Sequence, residues 1–112
     1  MQVFDLKSLA GSEEKREYVL GLKDLNTHAV YMIYGILDTG DVERKVYPGK
    51  GHEEILCIIK GTVDVIGQNE TVSLSEGEAI HLHEDGVYHL KNKSDVISYY
   101  ILAGGHKMEG HH

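Results

Sequence analysis

Apolar residues along this chain recur mostly at every second position, in short runs closed off by turn residues. Thr62-Val63-Asp64-Val65-Ile66 and Thr71-Val72-Ser73-Leu74 alternate in this way, the mark of strands with one buried face. Ile55 to Ile59 is apolar almost throughout, as expected of a central strand covered on both sides. Asp95 to Leu102 is similar and is expected to complete the sheet system. From Gly35 onward turn signals recur every eight to twelve residues: Asp38-Thr39-Gly40-Asp41, Pro48-Gly49-Lys50-Gly51, Lys60-Gly61, Gly67-Gln68-Asn69-Glu70, Ser75-Glu76-Gly77, Glu84-Asp85-Gly86 and Asn92-Lys93-Ser94. That rhythm predicts an all-β sandwich or barrel of short antiparallel strands.

The first third is patterned differently. Asp5-Leu6-Lys7-Ser8-Leu9 fits one helical turn, and Ser12-Glu13-Glu14-Lys15-Arg16-Glu17 combines helix formers with a Ser able to cap. Glu17 to Leu22 reads as a strand, and Thr27 to Leu37 as a long Tyr-rich strand. The latter is apolar on both faces, so one face is expected to meet a partner subunit, with this strand as the seam of a homodimer built by sheet augmentation. Almost no helix is expected beyond Leu22.

Composition narrows the picture. With 112 residues the chain is one domain, long enough to bury roughly two-thirds of its unfolded surface. A formal charge of −7 without a basic run disfavours nucleic acid and anionic membranes as partners. One cysteine, Cys57, excludes an internal disulfide framework and fits a reducing, cytoplasmic setting. No signal peptide and no membrane span are expected. Glu109-Gly110-His111-His112 reads as the stub of a polyhistidine tag, which leaves residues 1–108 as the domain. Cys57 lies mid-strand in apolar company, which argues against an activated thiol, and Pro48-Gly49-Lys50-Gly51 lacks the spacing of a phosphate loop.

Two stretches carry the candidate chemistry. The first runs Gly51-His52-Glu53-Glu54-Ile55-Leu56-Cys57-Ile58-Ile59-Lys60-Gly61, with Glu54 six residues ahead of Gly61. The second runs Gly77-Glu78-Ala79-Ile80-His81-Leu82-His83-Glu84-Asp85-Gly86-Val87-Tyr88-His89-Leu90-Lys91-Asn92. In this order and spacing they resemble the two motifs of the cupin superfamily, over roughly residues 27 to 103. The resemblance implies a double-stranded β-helix, the jelly-roll or cupin barrel. It also implies a divalent metal held inside the barrel by two His and a Glu from the first motif and one His from the second.

The chain departs from that ligand set. Where the first motif carries His-x-His it has Pro48 and Lys50, or Tyr47 and Gly49 if the loop aligns one residue longer. His83 stands where the second motif has proline. Only Glu54 and His89 carry over directly. A replacement set is possible, because His52 and Glu54 share a strand face, as do His81 and His83. If the Glu84–Gly86 hairpin lays His81 and His83 beside the strand of His89, one chamber would hold His52, Glu54, His81, His83 and His89. Such a set suits Zn, Fe, Ni, Mn or Cu. Plainer roles stay open: His52 at a rim turn, His81 or His83 facing solvent, and His28 and His106 as surface residues. Most tyrosines are expected to pack the sheet, with one or two lining the pocket and offering a phenol.

Two functions follow as expectations. One is a metal-dependent enzyme, an isomerase, lyase or dioxygenase, on a small polar substrate. The alternative is a non-catalytic module binding a sugar or an anion in a degraded metal site. No catalytic residue is singled out, since one fold of this kind hosts many chemistries.

Overall fold

The computed structural model describes residues 1–40 and 42–106, and of Val42 only the backbone. Among the described residues nine strands form two antiparallel sheets: β1 (Glu17–Leu20), β2 (Val30–Leu37), β3 (Val42–Val46), β4 (His52–Lys60), β5 (Thr62–Ile66), β6 (Thr71–Ser75), β7 (Ala79–Leu82), β8 (Tyr88–Asn92) and β9 (Ser98–His106). The first sheet runs β1-β2-β9-β4-β7 and the second β3-β8-β5-β6. The chain passes back and forth between them, which is jelly-roll topology. Alternation decides what lies between the sheets. Leu56 and Ile58 of β4, Val63 and Val65 of β5, Leu90 of β8 and Tyr100 and Leu102 of β9 are all buried and pack as one core.

Several sequence expectations are refined. The first helix, α1 (Leu6–Gly11), extends beyond the single expected turn because Asp5 accepts from the Ser8 N–H at 3.2 Å and so caps it. Ser12 ends that helix instead of starting another. The chain then reverses through Arg16, at φ 59°, whose guanidinium grips Asp38 with bonds of 3.0 and 3.1 Å. β1 stops at Leu20, where one helical turn, α2 (Leu22–Leu25), begins and closes on Asn26 in the left-handed region. That turn is the only described helix beyond Leu22. β9 starts at Ser98 and runs on to His106, because β2 and β4 flank it along its length and satisfy its backbone.

Two corrections bear on the site. The Glu84–Gly86 turn is not a hairpin between paired strands: β7 pairs with β4 in the first sheet, whereas β8 pairs with β3 and β5 in the second. It carries the chain across the barrel. Likewise β2 is hydrogen-bonded to β1 on one side and β9 on the other, so its edges are filled and it is no seam for augmentation. The tag-like tail lies outside the described residues.

Candidate functional site

The inner face of the five-stranded sheet carries an unusual polar arrangement. On β4 the parity that buries Leu56 and Ile58 also turns Glu54 inward, with only 5% of its surface exposed, and His52 beyond it at the rim. Glu54 lies opposite Gly104 of β9, and Gly104 lies opposite Tyr31 of β2. The three form one row across three strands. With no side chain on Gly104, the Tyr31 ring passes over β9, and its hydroxyl donates to Glu54 Oε2 at 2.5 Å. A Cβ on Gly104 would fall on the Tyr31 ring. The Gly-Gly pair at 104–105, inside a strand, marks such a close approach in the sequence.

The device is repeated four register pairs further along. Glu17 of β1 lies opposite Gly35 of β2, which lies opposite Tyr100 of β9. Tyr100 crosses over Gly35 and donates to Glu17 Oε2 at 2.7 Å. Arg44, from β3 in the facing sheet, donates through Nη1 to the Tyr100 hydroxyl and to the Ile36 carbonyl, both at 3.1 Å. Between the two rows Ile33 and Leu102 pair on adjacent strands. A cavity of about 120 Å³ opens here, walled by Glu17, Glu54, Ile33, Leu102 and Val46, with Lys45 and Tyr47 at its edge.

Electrostatics distinguish the two rows. Burial pushes the Glu54 carboxyl above its ordinary value and the charge of Glu17 adds to this, while the Tyr31 hydrogen bond and the nearby His52 oppose it. The Tyr31 phenol is held well above its usual range, by burial first and then by Glu54. Burial and Glu17 do the same to Tyr100, against the pull of Arg44.

The five residues expected to form one chamber fall in three places. His52 and Glu54 are together on the inner face. His81 is on the outer face of β7, because Ile80 and Leu82 take the inner one; its Nε2 lies 2.6 Å from Glu53 Oε1. The His83 ring sits 4.4 Å from that of His81, and the His83 N–H donates to the Tyr88 hydroxyl at 3.1 Å. His89 is on the outer face of β8, because Leu90 and Asn92 are buried toward the core; its Nδ1 lies 3.5 Å from Glu43 Oε1. The compensating cluster therefore does not assemble by this geometry. Among the described residues no group of three or more His, Cys, Asp or Glu is placed to hold a metal ion. Of the five expected ligands the inner face offers two, His52 and Glu54, and Glu54 is already engaged by Tyr31, so the four-ligand set implied by the resemblance does not fit these residues.

No family model and no curated protein matches this chain. Solved structures do. A cupin protein from Bacteroides fragilis superposes with a TM-score of 0.70 at 19% identity, over 89% of this chain and 86% of that one. The fold is a cupin barrel. A Cupin 2 conserved barrel domain protein from Salinispora arenicola gives a TM-score of 0.72 at 12% identity, over 94% of this chain and 88% of that one. A Cupin_2 domain of an XRE-family transcriptional regulator from Enterobacter cloacae gives 0.69 at 16% identity, over 82% of this chain and 98% of that one. Within this cupin barrel, the residues the sequence did not single out are Glu17 and the two glycines that let tyrosines cross the sheet, while Tyr31 and Tyr100 are the two among the tyrosines that offer a phenol to a glutamate.

Proposed function

We propose that this cupin barrel binds a small, uncharged, hydroxyl-rich molecule, a sugar or comparable polyol, in the chamber between its two tyrosine–glutamate pairs. The observation that carries this reading is the buried Glu54 with Tyr31 bonded to it, facing the same cavity as Glu17. Carboxylate oxygens accept from hydroxyls, phenols both donate and accept, and Ile33 and Leu102 offer an apolar floor for C–H surface. Two carboxylates on one chamber work against an anion, so of the two expected ligand classes the sugar is retained. The test is a ligand-observed NMR screen of monosaccharides and small polyols. A hit should weaken at least about tenfold in Glu54→Gln, since a charge-assisted hydrogen bond is worth roughly 1.5–3 kcal/mol. Unchanged binding in both Glu54→Gln and Tyr31→Phe would place the site elsewhere.

A second reading, an isomerase or lyase acting on such a ligand, is favoured by the state of Glu54. A desolvated carboxyl of raised pKa, hydrogen-bonded to a phenol, is suited to accept and return a proton. Incubation of a bound ligand in D₂O separates the two readings. Deuterium entering a C–H position, and lost in Glu54→Gln, supports catalysis, whereas an unlabelled ligand supports binding alone. In both readings the protein is a homodimer. It would associate through the outer face of the five-stranded sheet, where Val30 and Ile55 are 57% and 53% exposed.

A further inference from the structure

The cavity between the two tyrosine–glutamate pairs reaches the side of the barrel where β1 and β3 lie, each the last strand of its sheet. Val19 of β1 alternates with Glu17 and pairs with Ile33, so its parity is inward, yet 53% of it is exposed. Lys45 pairs with the outward His89, and reaches the cavity around the open edge of β3. Tyr47, the residue after β3, stands at the same mouth. It is 59% exposed, whereas the six other tyrosines of the chain are half-buried or buried. Lys45 sets its ammonium over the Tyr47 ring, 5.3 Å from the centroid, and so takes one face of it. At about 120 Å³ the cavity is less than half the roughly 300 Å³ at which pockets for whole small ligands begin. A sugar seated against Glu17 and Glu54 therefore projects past the mouth, where Tyr47 stands.

We propose that Tyr47 is the platform of an outer subsite, so that the chamber takes the end of a ligand of two or more linked sugar units. This rests on the reading of the chamber as a sugar or polyol site. A lone exposed tyrosine is ordinary on a protein surface. What carries the assignment is its place at the edge of a cavity too small for the ligand. The face of a phenol ring is electron-rich, and the C–H groups along one side of a pyranose are electron-poor, so the two stack. A ring already held on one face by Lys45 gives up little freedom when the other is covered, and Tyr has only two χ angles to fix. Val19, on the β1 side of the mouth, adds apolar surface for the same unit.

The test compares free monosaccharides with disaccharides that end in the same unit: glucose with maltose and cellobiose, galactose with melibiose and lactose, and xylose with xylobiose. Dissociation constants are measured on the full chain by ligand-observed NMR. In at least one pair the disaccharide should bind about fivefold tighter, which is the scale of one aromatic contact. Tyr47→Ala should bring that ratio close to one, and Tyr47→Phe, which keeps the ring, should preserve it. Glu54→Gln should weaken both members of the pair and leave the ratio in place. Tyr47 lies outside the core, and the thermal midpoints of its two variants verify that they fold. Equal affinities within every pair, or a ratio that survives Tyr47→Ala, overturn the outer subsite. Monosaccharides that bind where their disaccharides fail overturn it as well. In each of these cases, monosaccharide binding that depends on Glu54 leaves the chamber reading standing. No binding anywhere in the series overturns the outer subsite together with the chamber reading.

Discussion

Glu54 shows how one buried charge ties stability to pH. Its carboxyl titrates above the ordinary value of 4.5, because desolvation outweighs the Tyr31 hydrogen bond. Between 4.5 and the raised native value the folded state holds more protons than the unfolded chain. Stability therefore falls as pH rises through that window, and the loss is complete above it. Glu54→Gln keeps an acceptor for Tyr31 and removes the charge. It should raise the thermal midpoint at pH 7 by about 4 °C, the equivalent of about 1 kcal/mol, and flatten the dependence below neutrality. A variant with the same pH slope as the parent would show that Glu54 is not the group responsible. Gly35 makes the complementary point about space. Glycine to alanine within a strand ordinarily helps by roughly 0.5–1 kcal/mol. Here the added Cβ would fall inside the Tyr100 ring, which is fully buried and held by Arg44 and Glu17. Gly35→Ala should instead destabilise by about 3 kcal/mol in urea unfolding, the upper end of the range for overpacking.

At the level of elements, the connections between sheets rest on a few side chains. Asn92, at the end of β8, is fully buried. Its Nδ2 group reaches the carbonyls of Leu37 at 3.0 Å, Asp38 at 3.3 Å and Val96 at 2.8 Å, and its Oδ1 accepts from the Ser94 N–H at 3.0 Å. One amide thus joins the end of β2 to the turn between β8 and β9. Asn92→Ala would strand several buried carbonyls, and a loss of about 2–3 kcal/mol is expected from chemical denaturation. A loss under half a kilocalorie would mean that water takes over these bonds. The crossing rows place the same demand on β9, whose Gly104 leaves room for one tyrosine while its own Tyr100 crosses a glycine of β2. Gly104→Ala should displace the Tyr31 hydroxyl from Glu54 without emptying the core. Chamber binding should then weaken about as much as in Tyr31→Phe, measured by the same NMR titration.

For the whole molecule, the two outer faces differ in character. The outer face of the four-stranded sheet carries Glu43, Lys91, Asp64 and Lys93 in ion pairs. The outer face of the five-stranded sheet has an apolar groove of about 340 Å³ lined by Leu20, Val30 and Met32, and another of about 370 Å³ where Ile55 lies beside the Glu53–His81 pair. Exposed apolar surface of this kind marks an association face. The proposed dimer should elute at twice the chain mass, and Ile55→Asp should shift it to the monomer, as seen by light scattering. A parent that is monomeric at high concentration would remove the dimer from the proposal. None of the described helices is long and apolar enough to cross a membrane.

The sequence alone determined the fold and the strand order of polar and apolar residues. Strand alternation is a local property, set by which residues can be buried at every second position, and the turn residues that bound each strand are local too. The parity of His52 with Glu54 was legible for the same reason. The outward turn of His81 and His89 was fixed by Ile80, Leu82 and Leu90 taking the inner face, but deciding it required knowing which neighbours close over each strand. The strand pairing came only from tertiary structure, since a turn such as Glu84–Gly86 can join two paired strands or cross between sheets with the same local sequence. The rows Glu17–Gly35–Tyr100 and Glu54–Gly104–Tyr31 join residues far apart in the chain. Their contacts arise from register across three strands, and no local pattern encodes that register.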